Sequence, residues 1–232
     1  MSGKRSAINP LSDAKIIDSW HRNVAPWTAA VRKNQIDSRR LVTNQAILDA
    51  VLSRSPQSVL DIGCGEGWLV RALAEHGVRG VGVDVVPELI DAATKAGSGD
   101  FRVASYEDIA DGKLHVAVDA AVANFALIGE QSVANLLRST PSLLAPQGVV
   151  IVQTVHPLIA GGDHPYVDGW RTGSWAGFSS EFTDPAPWYF RTMESWVRLF
   201  VDSGLRLLEI REPLHPATQK PASAIFVAEA AG

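Results

Sequence analysis

The residues whose types and spacing most plainly ask for a ligand lie in Val59-Leu60-Asp61-Ile62-Gly63-Cys64-Gly65-Glu66-Gly67-Trp68-Leu69. An apolar strand delivers an acid and then three alternating glycines to the start of a helix. Gly63 and Gly65 can take positive φ and carry no Cβ, so a ligand can approach bare main chain. The helix expected over 66–76, stopped by Gly77, turns unpaired N–H groups toward the same place. A carboxylate at Asp61 repels a diphosphate and suits an ammonium, so the turn favours the cationic end of a ligand. Cys64, inside the turn, reads as a small buried residue against that ligand rather than as a nucleophile.

Glycine spacing narrows the ligand. A dinucleotide fingerprint needs its third glycine where this chain has Trp68, whereas the glycine here is Gly67. A second apolar run, Arg79-Gly80-Val81-Gly82-Val83-Asp84, ends in an acid about 20 residues beyond Gly63, the separation at which nucleotide folds place a carboxylate on ribose hydroxyls. Asp84 can also cap the helix expected from Pro87. Two carboxylates on adjacent strand ends, one for an ammonium and one for a diol, describe S-adenosylmethionine.

With these motifs in place, the chain resembles the class I S-adenosylmethionine-dependent methyltransferases, most closely their ubiquinone-biosynthesis-like, small-molecule branch. Further segments carry the resemblance: Val103-Ala104-Ser105-Tyr106-Glu107-Asp108, Asp119 through Leu127, and Leu144-Ala145-Pro146-Gln147-Gly148-Val149-Val150-Ile151. It implies a Rossmann-like methyltransferase fold and a cofactor site comprising Asp61, Gly63, Cys64, Gly65, Asp84 and Val85. Ser105 and Tyr106 are then expected beside the adenine. Asn124, Phe125 and Ala126 are expected beneath the methionine moiety, and Trp27 in a segment that closes over the cofactor. The product would be S-adenosylhomocysteine.

The elements that must position these residues alternate as β and α. Strands are expected at 58–62, 80–84, 101–104, 117–123 and 149–154, and helices at 66–76, 87–96 and 130–144, the last kinked or split by Pro141. A helix over Glu194 to Asp202 and two strands at 205–211 and 223–229, joined too closely for a crossover, complete the pattern. The fold class is α/β: a doubly wound, mostly parallel seven-stranded sheet with helices on both faces and a C-terminal antiparallel hairpin. One domain is expected over 1–232. It has a helical cap at 1–54, a cofactor-binding core at 55–155, a lid at 156–191, and a C-terminal helix and hairpin at 192–232. Ile47, Leu48, Val51 and Leu52 give the cap one buried face.

Composition sets the outer limits. At 232 residues, 46% hydrophobic, 20% charged and with a net charge of −4, the chain has core enough for one large domain and no electrostatic footprint for nucleic acid. A single cysteine excludes an intrachain disulfide. No run reads as a signal peptide or membrane span, and the dispersed histidines suggest no metal site, so a cytoplasmic protein is expected. The sequence leaves the oligomeric state open.

For chemistry, transfer from a sulfonium asks for alignment, water exclusion and a nucleophile with its lone pair free. His156, just past the fifth strand, is the candidate base for a hydroxyl acceptor, and together with the branch that the chain resembles it makes oxygen the expected methylated atom, with nitrogen, carbon and sulfur open. The stretch from His156 to Arg191 is rich in glycine and aromatics, the mark of a functional loop. Within it Trp188, Tyr189 and Arg191 are the expected acceptor-facing residues, and His215, with Lys220, can reach the same rim. The alternatives are a nicotinamide oxidoreductase on a similar fold and a non-catalytic protein that binds the cofactor.

Overall fold

The computed structural model describes residues 9–231, so residues 1–8 of the expected cap and residue 232 lie outside the described residues. The chain opens with α1 (Asp13–Arg22) and α2 (Val24–Arg32), followed by a π-helical turn (Arg39–Thr43) that runs into α3 (Asn44–Leu52). Ser12 starts α1 by accepting the Lys15 N–H. The core then alternates through β1 (Ser58–Ile62), α4 (Trp68–Ala74), β2 (Arg79–Asp84), α5 (Pro87–Ala96), β3 (Asp100–Val103), α6 (Tyr106–Ala110), β4 (Val118–Asn124) and α7 (Gln131–Ser139). A short 3-10 helix (Thr140–Leu143) leads into β5 (Leu144–Thr154) and α8 (Pro157–Ala160). The chain ends with β6 (Gly169–Arg171), β7 (Trp188–Phe190), α9 (Met193–Asp202), β8 (Leu205–Arg211) and β9 (Ala224–Ala230).

Seven strands form one sheet in the order β3-β2-β1-β4-β5-β9-β8. Strands β1 to β5 pair in parallel, and β9 enters antiparallel between β5 and β8. Burial on both faces explains the apolar runs of the central strands. Leu60, Ala121, Val150 and Phe226 point to one face, against α6, α7 and α9; Val59, Val122, Ile151 and Val227 point to the other, against α3 and α4.

The structure has the expected sheet, including its terminal hairpin, and moves several boundaries for local reasons. Helix α4 begins at Trp68 rather than Glu66, because Gly65 and Gly67 adopt left-handed φ of 55° and 82°. At Gly67 a Cβ would stand 2.7 Å from the Phe101 ring and 2.9 Å from the Ala93 methyl, so only glycine fits. The helix expected over 130–144 ends at Ser139, and Pro141 lies in the 3-10 turn that follows. Strand β5 starts at Leu144, earlier than expected, because a bulge absorbs the proline and glycine: Val118 pairs with Leu144, and Ala120 with Val149. The 156–191 stretch is less irregular than its composition suggests, since β6 and β7 pair as a small antiparallel ribbon.

Phe226 is fully buried, its ring centre 5.8 Å from Trp196 and 5.4 Å from Phe200. Phe226→Ala is expected to cost about 3–5 kcal/mol, read as a lower urea midpoint at unchanged slope. A loss below about 1 kcal/mol would mean that this aromatic stack is not part of the core that fixes β9 against α9.

Candidate functional site

The carboxyl ends of β1 to β4 meet beneath one cavity of about 330 Å³. Its floor is built by close approach of main chain. The Gly63 and Cys64 N–H groups both donate to the Val83 carbonyl, at 2.8 and 2.9 Å, drawing the turn after β1 against β2. A Cβ on Gly63 would lie 2.5 Å from the Ala126 methyl, so glycine is what lets the exit of β4 close over this turn. Tyr106, at the start of α6, fastens the same junction by donating its hydroxyl to the Ala126 carbonyl at 3.0 Å. Phe125 sits at φ 54°, a strained conformation for a residue with a side chain, and its N–H donates to the Gln153 carbonyl.

Asp84 organises the next part of the floor. One carboxylate oxygen accepts the Gly65 N–H at 2.9 Å and the other the Val86 N–H at 2.9 Å. Each oxygen keeps lone-pair capacity, and the residue lines the cavity. Burial raises its pKa, against the pull of the N–H groups of Val86, Gly65 and Val85. The site therefore brings together Gly63, Cys64 and Gly65 from the turn and Asp84 and Val85 from the end of β2. It also gathers Ser105 and Tyr106 beyond β3, Asn124, Phe125 and Ala126 at the end of β4, and Trp27 from α2. Burial pushes the Cys64 thiol up, so the sulfur stays protonated beside the cavity.

Asp61 lies behind the cavity wall, 2% exposed, with its Oδ1 atom lacking a partner. Burial pushes its carboxyl up to about 7, the Asp84 charge adds to the rise, and Arg39 opposes it. Arg39, which sequence reasoning missed, lines the cavity with a buried and unpartnered Nη2. Its guanidinium lies 4.8 Å from the centre of the Trp68 ring and 5.7 Å from that of Trp27, and burial lowers its pKa to about 10 against the opposing charges of Glu66 and Asp61. No local pattern marks it, because the rings that enclose it come from α2 and α4. Neighbouring Glu66 is matched elsewhere: it accepts from Arg71 and, at 2.8 Å, from Arg32.

Opposite this floor lies a roof. Asp13, Ile16, Ile17 and Trp20 of α1 face the cavity with Trp27 and, from the lid, Phe178. The expected base and acceptor-facing residues lie elsewhere. Val155 lines the cavity, so alternation beyond β5 turns the next residue, His156, away from it. The His156 ring is 1% exposed, pairs through Nε2 with Glu212 Oε1 at 2.6 Å, and leaves Nδ1 without a partner. Trp188, Tyr189 and Arg191 line a separate crevice of about 20 Å³, beyond Ile128 and Val155.

Arg191 is occupied structurally. It donates to the Gly129 and Glu130 carbonyls, both at 2.8 Å, and its guanidinium stacks on Tyr189 and Trp196. His215 closes the turn between β8 and β9: its N–H donates to the Lys220 carbonyl and its Nδ1 accepts the Ala217 N–H. Among the described residues, no group of three or more His, Cys, Asp or Glu side chains is placed to hold a metal ion.

Residues 36–210 match a family described as a methyltransferase domain. The Ubiquinone biosynthesis O-methyltransferase of Xylella fastidiosa (strain 9a5c) is 34% identical over 125 residues, which are 50% of this chain and 50% of that protein. The chain thus spans about half the length of the curated relatives it matches. A solved S-adenosylmethionine-dependent methyltransferase from Mesorhizobium loti is 22% identical with a TM-score of 0.59, covering 77% of this chain and 95% of its own. A solved DhpI-SAM-HEP complex is 19% identical with a TM-score of 0.62 over 97% of this chain and 100% of its own. With its seven-stranded sheet and glycine turn, the chain belongs to the class I S-adenosylmethionine-dependent methyltransferase family.

Proposed function

We propose that the protein transfers the methyl group of S-adenosylmethionine to a small-molecule acceptor, at oxygen. The observation that carries this reading is a pair of buried, unpartnered atoms of opposite charge: Oδ1 of Asp61 and Nη2 of Arg39. They are near enough for each to shift the other's pKa. A zwitterionic amino-acid end offsets both charges, its carboxylate toward Arg39 at the cavity wall and its ammonium on the side of Asp61 just behind that wall. Asp84 then takes the ribose hydroxyls, Ser105 and Tyr106 flank the adenine, and the strained turn at Phe125 carries main chain past the methionine moiety.

When bound, the cofactor supplies an electrophilic methyl on a sulfonium. The chain's own part is alignment and exclusion of water. Trp20, Trp27 and Phe178 present apolar faces to the cavity, which shed water. A roofed cavity of about 330 Å³ admits a small molecule rather than a nucleic acid or protein surface. Its lining holds Asp13, Asp84 and Glu107 against Arg39, which disfavours a polyanionic acceptor. Oxygen as the methylated atom rests on the relatives named as ubiquinone biosynthesis O-methyltransferases. His156 serves here as a brace, tying the exit of β5 to Glu212.

The direct test supplies labelled S-adenosylmethionine and a panel of phenols, catechols and hydroxyacids, and expects O-methyl products. Tight S-adenosylhomocysteine binding without turnover on this panel would instead indicate a protein that only binds the cofactor.

The cofactor reading also has a pH signature. Without ligand, Asp61 is held up to about 7, above the value it has when unfolded, so folded protein binds the extra proton and stability falls as pH rises from about 4 to about 7. An ammonium favours the ionised carboxylate, so S-adenosylhomocysteine binding should release a proton below pH 7. Its affinity should climb up to about tenfold per pH unit there and level off above it. Calorimetry in buffers of different ionisation enthalpy measures this release. An affinity independent of pH between 5.5 and 7.5, or a slope that survives in Asp61→Asn, would remove Asp61 from the site.

For His156→Gln, the expected outcome is lower thermal stability with an unchanged shape of the pH–rate profile. Loss of one limb of that profile would restore His156 as the base.

A further inference from the structure

Helix α1 has two working faces. Asp13, Ile16, Ile17 and Trp20, at i, i+3, i+4 and i+7, line the cavity. Lys15, Ser19 and Arg22, at the same rhythm shifted by two residues, lie on the opposite side and grip the lid at Asp184. Lys15 and Arg22 pair with the Asp184 carboxylate at 2.5 and 3.3 Å, and the Ser19 hydroxyl donates to the Asp184 carbonyl at 2.5 Å. One residue past the helix, Asn23 bonds both ways with Thr183: its amide donates to the Thr183 carbonyl at 2.8 Å, and its Oδ1 accepts the Thr183 N–H at 2.9 Å.

This grip sets the position of an aromatic cluster. Trp175 donates its indole N–H to the same Thr183 carbonyl and packs 5.3 Å from Phe178, 4.6 Å from Phe182 and 6.0 Å from Trp20. Of these, Trp20 and Phe178 reach the cavity, one from α1 and one from the lid. The floor of the cavity is taken by the strand ends that suit the cofactor. A second molecule must therefore lie against the roof.

From this arrangement we infer that Trp20 and Phe178 form the wall that selects the acceptor, taking a flat apolar face, and that the Lys15–Ser19–Asn23 grip on Thr183 and Asp184 positions that wall. The inference rests on the methyl-transfer reading above. It assigns acceptor selection to the half of the lid gripped by α1, not to the Trp188–Arg191 segment. Lys15, Ser19 and Asn23 act only through Phe178; none of them lines the cavity.

The test uses the full chain with saturating S-adenosylhomocysteine and titrates 2-naphthol, a flat and neutral hydroxyl probe, by its fluorescence. Phe178→Ala should weaken naphthol about tenfold while S-adenosylhomocysteine affinity stays within about twofold. The pair Lys15→Ala with Ser19→Ala should weaken naphthol about threefold, and adding it to Phe178→Ala should cost nothing more, because the grip acts through that ring. Lys15→Arg, which keeps the ion pair, should bind naphthol like the unsubstituted chain.

The inference is overturned by any of three results: no naphthol binding to the unsubstituted complex, losses that multiply in the triple variant, or equal losses of naphthol and S-adenosylhomocysteine affinity. Failure of the unsubstituted chain to bind S-adenosylhomocysteine would instead strike the cofactor reading itself. A fold damaged by the paired substitution shows as a lowered melting temperature, and the single Phe178→Ala variant then decides the question alone.

Discussion

Burying charge beside a cavity is costly, and the architecture around this site follows from that cost. At the carboxyl edge of the sheet Asp61 is buried and Asp84 half-buried, Arg39 reaches in half-buried from the turn before α3, and burial moves each toward its neutral form. Such groups persist in a fold only when partners compensate them. Asp84 has two main-chain N–H donors, supplied because the glycine turn after β1 folds back against β2. Arg39 has two indole faces and the Asn44 side-chain oxygen, but one nitrogen is left over. Asp61 leaves its buried Oδ1 unpartnered as well. A buried acceptor atom and a buried donor atom of opposite charge are thus left unpartnered, which suits a ligand that carries both charges.

The same edge shows how main-chain packing and chemistry share residues. Gly63 has no space for a Cβ because Ala126 closes over it, and Ala126 is held there by the Tyr106 hydroxyl. The strained φ of Phe125 is the geometric cost of turning β4 sharply enough to reach that position. These contacts tie the ends of β1, β3 and β4 into one rigid floor. A shift of any one strand end would move the others, so a cofactor held on this floor meets a nearly fixed surface.

The floor was legible in the sequence because its signals are local. Glycine spacing, a strand ending in Asp61 and another ending in Asp84 lie within about 25 residues and share a simple rationale. Arg39 was not legible, since its meaning comes from Trp27 and Trp68, which converge only in the fold. His156 was placed at the correct strand end, but strand ends alternate in direction, and Val155 took the side facing the cavity. Trp188, Tyr189 and Arg191 stood out by type, and in the fold they line a small crevice beside the main cavity, where Arg191 holds the loop after β4. The two faces of α1 were not read from the sequence, because what each touches depends on where the lid lies, and the sequence does not encode that locally.

The match to the methyltransferase-domain family runs over residues 36–210, beginning after α1 and α2. Arg39, the glycine turn, Asp84 and the exit of β4 fall inside it; Trp20, Trp27 and the outer face of α1 fall before it. The cavity is therefore assembled from two kinds of chain: a floor within the shared region, and a roof that draws two of its three aromatic faces, Trp20 and Trp27, from outside it. Donor chemistry needs the same ammonium, carboxylate and ribose contacts whatever the acceptor, so it belongs on rigid strand ends. Acceptor choice needs only shape and apolar area, which a helix and a loop can supply through a few side chains held by buried and half-buried hydrogen bonds and ion pairs.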